Sequence, residues 1–235
     1  MSRRPDADPG CSLERAGSRE GAVIPRNLLL VPLLAAPALA LCFACGDDAP
    51  TGSGTGGSGG APGCAVIGGS GTAPEIVAFG QMGEHGLFEE LTEGSVVDLV
   101  RPLQGGQVIF VAARVRGICR EDVEIRGRIR DPRSGNYLSE DRRTHIDLQL
   151  AEDGSWGEPA WERISDTSNV PACPNFLGRQ MEGLDYELEI RMGPKGGPYA
   201  EGMITVSLGC RRAQGAELAL CQCECAADYE FGKCE

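Results

Sequence analysis

From about Glu75 to Cys210 apolar and polar residues alternate with a period of two. Val123, Ile125, Gly127 and Ile129 share one face of a run whose other face carries Glu124, Arg126, Arg128 and Arg130, the pattern of a half-buried strand. "RTHIDLQL" repeats it with Ile146, Leu148 and Leu150 inward, "LDYELEIRM" with Tyr186, Leu188, Ile190 and Met192, and "MITVSLGC" with Ile204, Val206, Leu208 and Cys210. "QVIFVAARV", from Gln107 to Val115, is apolar on both faces and predicts a central strand. Turn chemistry separates the runs in "PLQGG", "DPRSGN", "AEDGSWG" and "GPKGGP", and "HGLFEELTEG" predicts one short helical turn. The expected fold is all-β: an antiparallel, immunoglobulin-like sandwich of about 7–8 strands, followed by a disulfide-rich C-terminal tail.

The N-terminal part has a different rhythm. Asn27 to Leu41 is an uncharged run directly after Arg26, the length of a secretory h-region and short of the roughly 20 residues a membrane span needs. Pro32 and Pro37 also work against a long helix. "GDDAPTGSGTGGSGGAPG", Gly46 to Gly63, has no apolar periodicity and would span on the order of 25 Å as a flexible coil. The expected organisation is an extended signal peptide over 1–44, an anchor cysteine and Gly/Ser-rich linker over 45–74, the sandwich over 75–210 and a cysteine-rich tail over 211–235. "IGGSG" around Ser70 is read as more linker.

Charge narrows the function. The net charge of −12 argues against nucleic-acid binding and against electrostatic adhesion to anionic headgroups, so any membrane attachment has to come from a lipid. Eleven cysteines are present, and setting aside Cys11, Cys42 and Cys45 leaves Cys64, Cys119, Cys173, Cys210, Cys221, Cys223, Cys225 and Cys234. Eight is an even number, as an exported disulfide framework requires, and about 105 pairings are open to it.

No catalytic set is visible. His85 and His145 are far apart without metal-binding spacing, and no nucleophile elbow, phosphate loop or Ser-x-x-Lys occurs. Glu89/Glu90 and Glu140/Asp141 read as solvated carboxylates. Asp153 and Glu158 beside Trp156 and Trp161 could line a sugar or calcium loop, although two aromatics packing a loop onto the sandwich is the simpler account. Cys221-x-Cys223-x-Cys225 could supply soft metal ligands, but it lacks a nearby His and the two-residue spacing of zinc knuckles. No catalytic residue, metal or cofactor is expected.

Several stretches resemble known families. "CFACGDD" resembles a bacterial lipoprotein lipobox, with small Ala44 before Cys45; the resemblance implies lipid attachment at Cys45, or at Cys42 as the alternative. "VDLVRPLQGGQVIFVAARVRG" looks like a stretch of exported lipoproteins of myxobacteria and their relatives, which implies location and fold but no activity. "GLDYELEI" resembles the tyrosine corner of immunoglobulin-like sandwiches, though Leu188 stands where that family has its inter-sheet cysteine. Cys223 to Cys234 resembles the closing half of an EGF-like module, which implies a Cys225–Cys234 bridge. Together these imply a non-enzymatic binding or structural protein on the bacterial outer membrane or cell surface, or in the periplasm. Its expected partners are the membrane, through the lipid, and an envelope protein or glycan. An exported hydrolase using loop carboxylates, or a metal protein using the tail, is the alternative.

Overall fold

The computed structural model describes residues 64–175 and 177–234. Cys42 and Cys45 lie outside the described residues. The strands are β1 (Glu75–Met82), β2 (Phe88–Leu91), β3 (Ser95–Asp98), β4 (Gln107–Arg116), β5 (Val123–Arg130), β6 (Tyr137–Ile146), β7 (Gln149–Leu150), β8 (Gly157–Glu158), β9 (Ser168–Cys173), β10 (Asp185–Pro194) and β11 (Ala200–Gly209). One helix, α1 (Ala216–Glu224), follows. They form two sheets of a sandwich. In the first, β4 has β1 and then β2 on one side, and β9 and β8 on the other, with β7 beyond β8. The second runs β3-β11-β10-β5-β6, antiparallel except for the parallel β3–β11 pair.

Except at Leu150 and the partly buried Ile204, the periodic runs bury the faces their patterns predict. Val123, Ile125, Ile129, Leu188, Ile190, Met192, Val206 and Leu208 have no exposed surface, and neither do Ile109, Val111 and Val115 of the central strand β4. Burying a side chain of this size contributes roughly 1.5–3 kcal/mol. The outer face of the second sheet is an arginine–carboxylate lattice, with Arg128 between Glu140 (2.7 Å) and Glu189 (3.2 Å) and Arg130 on Glu187 (2.7 Å). Tyr186 is buried and its hydroxyl donates to the carbonyl of Gln180, so the residue forms a tyrosine corner.

Two features close the sandwich on the β6/β9 side. The Ser168 hydroxyl accepts the N–H of Gly127 (3.0 Å) and donates to the carbonyl of Asp141 (3.1 Å), two residues that face each other in the β5–β6 register. One side chain of the first sheet thus bridges two strands of the second. The outer edge of β9 offers little to a further strand, because the Asn169 N–H is taken by Asp141 Oδ2 (2.8 Å) and Pro171 has no N–H.

Several expectations change. The segment 64–74 is not linker: Ile67 is buried, its N–H donates to Ile118 and its carbonyl accepts from Gly117, and Cys64 is bonded to Cys119. An apolar side chain and a cross-link hold it where its glycine content suggested a free coil. "HGLFEELTEG" forms a 3-10 turn over Glu84–Gly86 and then strand β2, whose partner is β1. Leu150 is 42% exposed, because the chain leaves the second sheet after Ile146 and β7 joins the first. The strand count exceeds the expected 7–8 through the short β2, β3, β7 and β8.

The tail differs most. Its Cys-x-Cys-x-Cys run is helical, with Leu218, Cys221, Glu224 and Cys225 turned toward the sandwich at helical spacing. The bridges are Cys64–Cys119, Cys173–Cys225, Cys210–Cys221 and Cys223–Cys234. The Cys225–Cys234 pairing implied by the EGF-like resemblance is therefore incorrect. One helical turn buries Cys221 and Cys225 together against the core and leaves Cys223, on a less buried side, to meet Cys234.

Candidate functional site

A largely apolar groove of about 760 Å³ lies between the β3–β4 loop, the start of β4 and strand β9. The turn "PLQGG" forms one wall: Gly105 and Gly106 both take positive φ, and a Cβ on Gly106 would stand 2.8 Å from the Cys173 carbonyl oxygen. This close approach is what glycine permits. Val108 and Phe110 line the groove from β4, Asn169 and Pro171 from β9, with Ile164 and Leu103 at its margin. Leu103 is fully exposed and Ile164 half-exposed.

Polar groups of the groove are fixed by one another. Arg143 donates to Asp141 Oδ2 (2.8 Å), the same oxygen that receives the Asn169 N–H. Arg101 lies 3.6 Å from Glu224, and buried Gln107 donates from Nε2 to the other Glu224 oxygen (2.6 Å). The groove wall is therefore held by α1 through Glu224 and through the Cys173–Cys225 bridge. Neither Gln107 nor Glu224 stands out in the sequence; the only signal is the spacing of Cys221, Glu224 and Cys225 along a helix. Such a site offers apolar surface with a few fixed hydrogen-bonding groups, the usual make-up of a recognition pocket.

A second cluster joins the tail to the sandwich. Asp98, 3% exposed, receives Arg211 Nε and Arg212 Nε, each at 2.7 Å, and its N–H donates to Gln81. Glu89 spans the same two guanidinium groups at 3.1 Å each. Burial pushes the Glu89 carboxyl up, but the hydrogen bond from Arg211, the nearby Gln81 amide and the charges of both arginines outweigh it and leave it below the usual carboxylate range. The hydrogen bond to Asp98 holds the Arg211 guanidinium above its ordinary value. At the tyrosine corner, Asp131 is held well below the usual range by the Ser134 hydroxyl, by Arg179 and by the Arg133 N–H.

The remaining sequence candidates are not brought together. His85 lies in the turn between β1 and β2, and His145 at the end of β6 in the other sheet. His145 Nδ1 meets Asp122 Oδ1 at 2.6 Å in an exposed pair. Glu158 accepts from Trp161 Nε1 (2.8 Å) and Arg114 Nε (2.9 Å), and the Arg114 guanidinium stacks on Phe88 and Trp156. The two tryptophans thus pack their loop onto the first sheet, while Asp153 caps its own turn through Ser155. Glu140 and Asp141 are both engaged by arginines. Among the described residues the sulfurs of Cys210, Cys221 and Cys225 lie within 4.8 Å of one another, and each belongs to a disulfide. No helix of the described residues is long and apolar enough to cross a membrane. Compared with known proteins, the chain matches no family model, no curated protein and no solved structure.

Proposed function

We propose that this chain is a non-enzymatic protein of the bacterial envelope or cell surface, anchored by lipid on Cys45 and acting by binding an envelope protein or a glycan through the groove beside β9. One observation carries the reading: the eight cysteines from Cys64 onward all pair with each other, so none of the described cysteines is left for Cys45. A complete set of cystines fits an oxidising compartment, and a thiol left outside it, after an uncharged leader and a small residue, suits acylation. The lipobox resemblance and the acidic charge, which requires a lipid to do the anchoring, support the same reading. The groove supports binding through its exposed Leu103 and Ile164 above a rigid, cross-linked floor.

Metabolic labelling with a palmitate analogue in a bacterial host tests the anchor. Labelled protein in the membrane fraction, accumulation of unprocessed precursor under globomycin, and loss of label in Cys45→Ala are expected. A Cys45→Ala protein that keeps both its label and its membrane association would overturn the assignment to Cys45.

A further inference from the structure

We propose that the Cys210–Cys221 and Cys173–Cys225 bridges form a thiol–disulfide relay, which accepts a low-molecular-weight thiol at the first bridge and delivers a free thiol at Cys173 on the groove wall. The inference rests on placement. The sulfurs of Cys210, Cys221 and Cys225 all lie within 4.8 Å, so opening the first bridge leaves a thiolate beside the second. Cys221 and Cys225 are held one helical turn apart at the end of α1, against the core. Cys64–Cys119 and Cys223–Cys234 stand outside this cluster.

The two ends of the relay are buried beneath neighbouring depressions, the one over Cys221 sharing the β3–β4 loop with the groove. Cys221 lines a depression with Leu99, Arg212 and Glu217, and Cys210 lines another with Val96 and Leu208. Cys173 lines the groove itself. The first bridge closes only 11 residues while the second closes 52, so opening the first releases less of the constraint on the unfolded chain.

The exchange balances without an oxidant or reductant. An incoming thiolate attacks Cys210 Sγ, forming a mixed disulfide and expelling Cys221 as thiolate. That thiolate attacks Cys225 Sγ, forming Cys221–Cys225 and expelling Cys173, which takes a proton from water. Attack on Cys221 instead leaves Cys210 to bond Cys225, with the same thiol released. Two disulfides exist before and after, and one external thiol is exchanged for the thiol of Cys173.

Two experiments test the relay. Folded full-length protein is treated with glutathione at pH 8.5, near the ordinary thiol pKa; it is then quenched with acid, alkylated with N-ethylmaleimide and mapped by mass spectrometry. One glutathione on Cys210 or Cys221, alkylation of Cys173 and a new bridge to Cys225 are expected. Alkylation of Cys210 or Cys221 with Cys173–Cys225 intact overturns the relay, and so does a protein unchanged by glutathione. In Cys210→Ser, with no reagent added, alkylation of Cys173 should rise at least tenfold over wild type. Alkylation confined to Cys221 in that variant overturns it as well. Because both experiments use the protein in solution, their outcome is independent of the lipid anchor.

Discussion

Gly127→Ala tests the cross-sheet junction most directly. A Cβ at Gly127 would stand 2.6 Å from Ser168 Oγ, 2.8 Å from Val170 Cγ2 and 3.0 Å from Ser168 Cβ. Reaching ordinary contact at 3.4 Å would displace the first two by about 0.6–0.8 Å. Val170 is β-branched and fully buried, and Ser168 is fixed between Gly127 and Asp141, so neither can swing aside. Overpacking of this kind costs about 1–3 kcal/mol, and breaking the Gly127–Ser168 bond adds about 1 kcal/mol. The lower entropy of alanine in the unfolded chain returns roughly 0.4–1 kcal/mol. A net loss of about 2–3 kcal/mol is expected, which for a domain of this size lowers Tm by roughly 5–10 °C.

Ser168→Ala, which orphans the Gly127 N–H, should cost about 1–3 kcal/mol by itself. The two changes should not add, since removing the hydroxyl also removes the shortest clash. The double variant should be less destabilised than the sum by about 1 kcal/mol. Urea unfolding followed by the fluorescence of Trp156 and Trp161, with disulfides intact, measures all four corners of the cycle. A Gly127→Ala protein melting within 1 °C of wild type, or strictly additive variants, would refute the junction.

Tyr186→Phe removes the corner hydrogen bond and nothing else of comparable size; a loss of about 1 kcal/mol, roughly 2–4 °C in Tm by calorimetry, is expected. Asp131 has a depressed carboxyl pKa in the folded state, so its stabilisation is present above the unfolded value near 4 and is lost progressively as pH falls below it. Asp131→Asn should accordingly flatten the fall in urea midpoint between about pH 6 and pH 2.5, and equal slopes for the two proteins would argue against that role. Replacing both Arg211 and Arg212 by alanine strands the buried Asp98 carboxylate and should destabilise by about 3–5 kcal/mol, whereas adding Asp98→Ala to that variant should restore part of the loss in the same denaturation assay.

Strands whose faces differ in polarity were legible in the sequence. β5 and β10 alternate cleanly because one face meets the core and the other carries the arginine–carboxylate lattice, and β4 reads as central because both of its faces are covered. The short strands β2, β3, β7 and β8 were not legible, since two to four residues carry too little periodicity and their pairing is set by neighbours distant in sequence. In the tail, cysteines at every second position imitate a strand, yet Ala216, Glu217, Leu218, Ala219 and Leu220 are strong helix formers, and the bridges to Cys173 and Cys210 fix the helix in place. The groove was invisible for a different reason. Its parts, "PLQGG", Asp141, Arg143, Asn169 and Glu224, converge only through the sandwich topology, and each is unremarkable alone. Ser168, between Gly127 and Asp141, likewise left no trace in the sequence pattern.

The Cys64–Cys119 bridge also fixes how the domain would carry a mechanical load. Tension applied to the chain before Cys64 passes through a covalent bond into the segment that follows β4, and from there into the central strand. The eight residues of β1 are by-passed, so its hydrogen bonds to β4 are not peeled one at a time. Drag or shear on a domain held from its N-terminal side would thus meet sulfur and the sandwich core before it met the first strand.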